Sequence, residues 1–216
     1  MRTASLSLLT ILCLMLAVAP AMADTYSNGP YNGTNDGWTI NFGFTVSDSF
    51  TLSGSDTKVT DFHFVYWDAS ASDLLTTADL QLGTTSFGGS ATTVAFSSTF
   101  LGVNQYGYNL YQANSTGLNI PWAGGAGFAT FGNACTLSGC SVSNPIYWDE
   151  NSGPSLAYEN TLGSIPSEAF TLSGGCGGCG CGIRGPACGS PEPSSIMLFG
   201  SGVLGLAGLL RRKLNR

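Results

Sequence analysis

The pattern that most constrains the fold is the alternation of apolar and polar residues in short runs. In Val59–Trp67, the aromatic residues Phe62, Phe64 and Tyr66 recur at every second position, which is the period of a β-strand. Turn residues rich in Gly and Ser separate such runs, and no stretch of residues 24–173 keeps a helical period. We therefore predict an all-β domain over these residues, either an antiparallel sandwich or a jelly roll.

The predicted strands are short and distributed along the whole domain. They are Trp38–Val46, Phe50–Ser53, Val59–Trp67, Ala78–Leu82, Thr92–Ser97, Tyr106–Gln112, Gly127–Gly132, Pro145–Trp148 and Glu168–Leu172. Ser70–Thr77 could form one helical turn. Ser47–Gly54 (SDSFTLSG) and Ser167–Gly174 (SEAFTLSG) echo each other. The echo is either chance in a Ser/Thr-rich chain or the sign of two strands at equivalent edge or neighbouring positions, which would bring the domain ends together.

The N-terminus has the three parts of a secretory signal peptide over residues 1–23. Arg2 provides the positive charge, Leu6–Val18 the apolar segment, and Ala21-Met22-Ala23 the small-residue cleavage site. We expect this helical segment to be removed, so that the mature chain begins at Asp24. An uncleaved anchor helix is the alternative.

At the C-terminus, an apolar segment lies between a short motif and a basic cluster. The motif is Pro191-Glu192-Pro193, the uncharged segment covers residues 194–210, and the tail (residues 211–216) contains Arg211, Arg212, Lys213 and Arg216. At about 1.5 Å per residue the segment spans roughly 26 Å, which suffices for a single short transmembrane helix. The basic cluster would then remain on the cytoplasmic side.

These parts, in this order, resemble the PEP-CTERM sorting signal of exported bacterial proteins. The resemblance covers Ser190–Arg216. It implies passage through the export machinery and recognition by an exosortase, a membrane protease-transpeptidase that cuts near the motif. It also implies a protein that is membrane-anchored before processing and then lies at the cell surface or in the extracellular matrix. Residues 24–173 resemble a group of small PEP-CTERM exoproteins through Val46–Leu52 and Trp148–Ser155, which supports the domain limits only.

The exported part is strongly acidic. It contains twelve acidic residues against Lys58 and Arg184, whereas the whole chain has a net charge of −6. A surface of this sign repels nucleic acid and anionic lipid, so we expect no nucleic-acid partner.

Six cysteines follow the signal peptide, an even number that suits an oxidising compartment. Cys135 and Cys140 are expected to form a disulfide that closes a small loop. Residues 174–190 are rich in Gly and Cys, which is typical of a linker without a packed core. The four cysteines of this segment could form disulfides, bind zinc or an iron–sulfur cluster, or act as thiols for cross-linking. Among these alternatives we favour oxidation to disulfides. The four cysteines are Cys176, Cys179, Cys181 and Cys188.

No set of side chains predicts an enzyme. His63 is the only histidine, and Ser155 lacks the α/β context of a nucleophile elbow. Asp68, Asp149 and Glu150 could supply the two carboxyl groups of a glycosidase, but such enzymes need a fixed distance between the two groups, which the sequence does not reveal. We predict no catalytic residue and no cofactor, although Asp149–Gly153 and Ser53–Asp56 have the oxygen ligands that calcium accepts.

We favour a structural or adhesive protein of an exopolysaccharide matrix, the setting that the resemblance implies. The alternative is a carbohydrate-binding module, because the four tryptophans could stack on sugars, although aromatic residues at alternating strand positions can equally fill a core. Trp122, in the loop Ile120–Gly125, is the one expected to be exposed and to contact a glycan. A secreted hydrolase is the third and least favoured interpretation.

Overall fold

The computed structural model describes residues 24–52, 56–140 and 144–175. These residues form two antiparallel sheets and contain no helix, which confirms the predicted all-β class. Apolar side chains of both sheets join in one core, in agreement with a sandwich. Within this part of the chain, no helix is long and apolar enough to cross a membrane. The predicted signal peptide and C-terminal helix lie outside the described residues.

Among the described residues, fourteen strands make up the two sheets. The eight-stranded sheet contains β1 (Thr25–Ser27), β2 (Gly37–Thr39), β4 (Lys58–Asp68), β7 (Ser97–Val103), β8 (Asn109–Ser115), β9 (Ile120–Pro121), β11 (Ile146–Asp149) and β14 (Phe170–Gly175). The six-stranded sheet contains β3 (Val46–Leu52), β5 (Leu75–Gly83), β6 (Ala91–Ala95), β10 (Gly125–Thr136), β12 (Ala157–Glu159) and β13 (Gly163–Ile165).

Strand β4 is the centre of the larger sheet. β14 and β11 pair with successive parts of one edge of β4, and β9 and β8 pair with the other edge. Outside these lie β1, β2 and β7, paired with β14, β11 and β8 respectively. The smaller sheet has the order β13-β12-β3-β10-β5-β6. With eleven residues, β4 is long enough for two partner strands to pair with each of its edges.

An aromatic cluster fills the space between the sheets. Phe62 of β4 stacks on Phe170 of β14, with ring centroids 5.4 Å apart, and meets Phe131 of β10 edge-on at 4.9 Å. Trp148 of β11 packs against Phe131 and Phe170, and its Nε1 donates to Ala169 O at 3.1 Å. All four rings are buried, so this cluster joins the two sheets.

Several strands agree with the sequence pattern. The predicted strand Val59–Trp67 is β4, and its predicted apolar face of Phe62, Phe64 and Tyr66 is buried in the core. The predicted disulfide between Cys135 and Cys140 is present at the end of β10.

The prediction of one strand over Trp38–Val46 is wrong. The chain leaves the larger sheet after β2, turns with Phe42 at a φ of 57°, and enters the smaller sheet at Val46. Asn41 holds this turn, because its Nδ2 donates to Asn144 O at 2.9 Å and its Oδ1 accepts from Ile146 N. The alternating pattern continued through the turn, so sequence alone did not reveal it. Ser70–Thr77 likewise forms no helical turn; bends lead directly into β5.

The two echoed segments lie in different sheets. Their strands β3 and β14 each have partners on both sides and do not pair with each other, so the interpretation as equivalent edge or neighbouring strands is wrong. The ends of the domain are nevertheless adjacent, as expected, because β1 pairs with β14 and Gly174 N donates to Asp24 O at 2.7 Å. Gly174 and Gly175, predicted as linker, belong to β14.

Candidate functional site

The outer face of the larger sheet carries a group of aromatic side chains. Because successive residues of a strand point to opposite faces, Trp67 points away from the core that Phe62 and Tyr66 fill. Directly paired residues share a face, and Trp67 is paired with Tyr147 of β11 and Leu110 of β8. The register therefore places the indole of Trp67 beside the Tyr147 ring on this outer face.

The turn between β7 and β8 adds two more rings. Asn104 holds this turn, since its Oδ1 accepts from Tyr106 N at 3.0 Å and from Tyr108 N at 2.9 Å. Gly107, with a φ of 85°, supplies a left-handed conformation that other residues rarely adopt. As a result Tyr106 stacks over Trp67 with ring centroids 5.9 Å apart, while Tyr108 meets Tyr147 edge-on at 5.6 Å.

Together these rings form an open cavity of about 410 Å³, which we call the aromatic groove. Its floor is the buried Trp67 ring, and the most exposed ring is that of Tyr106, at 56%. The groove is lined by Asn35, Asp36, Gly37, Trp67, Tyr106, Tyr108 and Tyr147. A few polar groups at the rim of an aromatic surface are the usual make-up of a small-ligand site.

Asp149 fixes one wall of the groove. Its carboxylate accepts hydrogen bonds from Trp67 Nε1, from Gly33 N at 3.0 Å and from Asn32 N at 3.0 Å. It thereby holds the segment 28–36, which we call the clamped loop, against the sheet. Burial raises the pKa of Asp149 to about 6, although the three hydrogen bonds lower it.

Two glycines allow the close contact at this wall. Gly33 has a φ of 63°, and a Cβ there would lie 2.6 Å from Leu110 Cδ1. At Gly37, a Cβ would lie 2.9 Å from the Cβ of Tyr147. The opposite wall is tied to the same loop, because Tyr106 Oη donates to Thr34 O at 3.1 Å. Both walls are therefore held without any ligand.

The rim of the groove is negatively charged. Asp36 is exposed at the rim, and Glu150, whose pKa is raised by burial, accepts from Trp38 Nε1 at 3.2 Å nearby. Among the described residues Lys58 is the single lysine or arginine, and it lies nine residues before Trp67 on β4, roughly 30 Å away. No basic side chain of this part of the chain therefore offsets the negative rim.

Trp122 does not have the predicted exposure. Its side chain is 9% exposed, packs on Phe50 at 5.1 Å, and lies so close to Gly127 that a Cβ there would clash. The reason is that β9 pairs with β4 and directs the following ring into the core. The expectation that Trp122 is exposed is wrong, and a ring in this position does not offer a flat face to a sugar.

Sequence reasoning missed the groove itself. The alternation placed Trp67 on the face opposite Phe62, Phe64 and Tyr66 without saying which face is outside, and Tyr106 was placed within a strand rather than in the turn. The dipeptide Tyr106-Gly107, next to Asn104, was the available signal for that turn.

The hydrolase candidates do not converge on one pocket. His63 Nδ1 is hydrogen-bonded to Asn114 Oδ1 at 3.0 Å and lines a cavity of about 160 Å³ that includes Tyr31. Ser155 accepts from Asn28 Nδ2 at 2.6 Å and lines a different cavity.

The carboxylates proposed as a hydrolase pair have other hydrogen-bond partners. Asp68 accepts from Asn144 Nδ2 at 2.8 Å and from Ser70 N at 2.7 Å, while Asp149 holds the clamped loop. In the calcium candidate Asp149–Gly153, Asn151 Oδ1 accepts from Ser167 Oγ at 2.6 Å and from Gly153 N. Across residues 24–52, 56–140 and 144–175, no group of three or more His, Cys, Asp or Glu residues is placed to hold a metal ion.

Comparison with known proteins identifies the C-terminal signal. A family model described as the PEP-CTERM protein-sorting motif matches residues 191–213. No curated protein matches the chain. The match confirms the predicted sorting signal, so the chain is an exported protein with a C-terminal signal that targets it to exosortase. The signal-peptide cleavage site and the four linker cysteines lie outside the described residues and stay predictions.

Proposed function

We propose that the β-domain is a non-catalytic adhesive module, which attaches this exported protein to extracellular polysaccharide through the aromatic groove. The observation that carries the proposal is the exposed ring of Tyr106, which rests on the buried Trp67 and lies beside the partly exposed rings of Tyr108 and Tyr147, with Asn35 and Asp36 at the rim. Aromatic rings offer flat apolar faces that suit the C–H faces of sugar rings, and the rim groups can bond sugar hydroxyls. The groove is open, so a polymer chain can lie across it without needing a free end.

The negative charge at the rim of the aromatic groove restricts which polysaccharides can bind there. A carboxylate at the rim, without a nearby lysine or arginine among the described residues, repels polymers of uronic acids. Neutral polysaccharides, or polymers carrying amino groups, fit this surface better. A protonated amine can also interact favourably with the face of an aromatic ring.

The sorting signal supports an extracellular setting for this activity. We infer that residues 194–210 hold the protein in the membrane until processing near Pro191-Glu192-Pro193, after which the domain lies at the cell surface or in the matrix. At that location an exposed polysaccharide site would act as an adhesive.

We expect Tyr106→Ala to weaken polysaccharide binding about tenfold, because one exposed aromatic contact contributes on the order of 1 kcal/mol. The measurement is titration calorimetry of the intact protein against soluble neutral, amino and uronic-acid polysaccharides. Phe100→Ala is the matched control, since Phe100 is also 56% exposed and belongs to the same sheet but lies outside the groove. Equal losses in both variants, or no binding to any polymer of the panel, would contradict the proposal.

The negative rim of the groove leads to a second prediction, about the order of affinities for differently charged polysaccharides. At low ionic strength the protein should bind an amino polysaccharide more tightly than a neutral polymer of the same linkage, and a uronic-acid polymer least. Asp36→Asn should reduce this difference several-fold, and about 1 M salt should nearly remove it, because the Debye length falls to about 3 Å. Identical affinities for the three polymers at low salt would show that the rim charge does not select the ligand.

A further inference from the structure

Two acidic residues meet inside the domain, one from each echoed segment. Asp48 lies on β3 of the smaller sheet, and Glu168 lies two residues before β14 of the larger one. Both side chains are 0% exposed. Glu168 N donates to Asp48 Oδ2 at 2.7 Å, so the backbone of one segment is bonded directly to the side chain of the other.

Three oxygens of this pair have no hydrogen-bond partner of normal geometry among the described residues. They are Asp48 Oδ1, Glu168 Oε1 and Glu168 Oε2, all of them buried. Burying an ionised carboxylate without donors is strongly unfavourable, and two such groups beside each other repel. A protein with this arrangement must neutralise at least one of them.

Within the described part of the chain, the elements around the pair offer no cation to do so. The clamped loop contributes Asp36, and the end of β11 contributes Asp149 and Glu150; all three raise the pKa of Glu168 further, after burial and Asp48. Glu159 of β12 accepts from the backbone N–H groups of its own turn, and Lys58 is paired with Gly175 at the far end of β14. Tyr26 of β1 is the remaining titratable neighbour, and its pKa is raised to about 12 by burial and by Asp48.

Neutral donors hold the Asp48 side of the pair. Asn28 Nδ2 donates to Asp48 Oδ2 at 3.2 Å and to Glu168 O at 2.7 Å. The Ser155 hydroxyl and Ser49 N–H lower the pKa of Asp48, but burial outweighs them and raises it to about 6. Asp48 is therefore the better acceptor of the two carboxyls, and Glu168 is the better site for a proton.

We propose that Asp48 and Glu168 share one proton in the folded domain and act as a pH-dependent clasp between the two sheets. The proton comes from solvent during folding and is bound to Glu168, whose O–H donates to Asp48 Oδ1. No bond other than this hydrogen bond is made or broken. The clasp does not depend on what the aromatic groove binds.

The direction of the pH dependence follows from linkage. Both carboxyls have folded-state pKa values above their usual range, so the folded domain keeps a proton that the unfolded chain releases above about pH 4. The contribution of the pair to stability is therefore fully present at and below about pH 4 and declines above it. It falls as pH rises through 6 and beyond, the reverse of a salt-bridged carboxylate.

The test is thermal unfolding of the full-length protein at pH 5 and pH 8. We expect the wild-type Tm to be about 5 °C or more higher at pH 5. Glu168→Gln should raise the Tm at pH 8 and clearly reduce the difference, because its amide can donate to Asp48 Oδ1 without titrating; Asp149 and Glu150, whose pKa values are also raised, keep part of the difference in this variant. Asp79→Asn is the control, since Asp79 is a surface carboxylate with a lowered pKa and its loss should leave the difference intact.

Two outcomes would overturn the proposal. One is a Glu168→Gln variant that keeps the full pH difference. The other is a rise in wild-type Tm at pH 8 on adding calcium that is lost in Glu168→Gln, which would place a cation rather than a proton at the pair. Should the variant fail to fold, the ¹³C shift of the Glu168 carboxyl carbon in the wild type decides. It should report a protonated acid at pH 7, and an ionised one contradicts the clasp.

Discussion

Replacing Trp148 with alanine is expected to lower the free energy of unfolding by about 3–5 kcal/mol. The Trp148 ring is fully buried and touches rings from both sheets, including Phe62 of β4 and Phe131 of β10. The substitution leaves a large cavity between the sheets and removes the donor that bonds Ala169 O. A loss of this size is a large share of the stability of an ordinary domain, about 5–15 kcal/mol.

Urea unfolding followed by tryptophan fluorescence and circular dichroism measures this loss. Leu162→Ala is the control, because Leu162 is 69% exposed in the turn between β12 and β13 and should change stability by less than about 0.5 kcal/mol. A Trp148→Ala protein within 1 kcal/mol of wild type would mean that the two sheets are not joined through this cluster.

Asp149→Ala is expected to cost about 3 kcal/mol and to release the clamped loop. The change leaves Trp67 Nε1, Asn32 N and Gly33 N without their acceptor, and each buried unpaired donor costs about 1–3 kcal/mol. Since the loop forms one wall of the aromatic groove, polysaccharide affinity should fall at least as much as in Tyr106→Ala.

Hydrogen exchange separates the local effect from the global one. In Asp149→Ala the amides of Asn32 and Gly33 should exchange much faster. The β10 amides should exchange faster only by the factor that the loss of global stability accounts for. Asp79→Ala is the matched control, since Asp79 accepts two hydrogen bonds from exposed side chains and its loss should leave the loop amides unchanged. Unchanged exchange at Asn32 and Gly33 would show that Asp149 does not hold the loop.

The strand class and the central strand could be predicted because they depend on local alternation. In Val59–Trp67 the aromatic residues Phe62, Phe64 and Tyr66 recur at every second position, and the structure extends the predicted strand by only one residue at each end. Trp38–Val46 shows the same alternation, yet Asn41 bends it through bonds to residues more than 100 positions away. A local pattern contains no information about such partners, which is why one prediction was right and the other wrong.

The echoed segments also show that a local sequence pattern does not reveal which distant residues come into contact. Their similarity was compatible with chance or with two equivalent strands, and it did not indicate that Asp48 and Glu168 would meet in the interior. Trp122 was expected on the surface because it was assigned to the loop Ile120–Gly125, and the pairing of β9 with β4 placed it inside.

The amino-acid sequence by itself determined that the chain is exported with a PEP-CTERM signal and that its body is built from β-strands. Both properties depend on contiguous residues. A processing enzyme recognises the signal as one continuous segment, and the period of a strand recurs along neighbouring positions. Tertiary structure alone decided that Trp67, Tyr106 and Tyr147 line one groove and that Asp149 closes its wall. Their contacts join residues up to 117 positions apart, and only the register between strands brings such residues together.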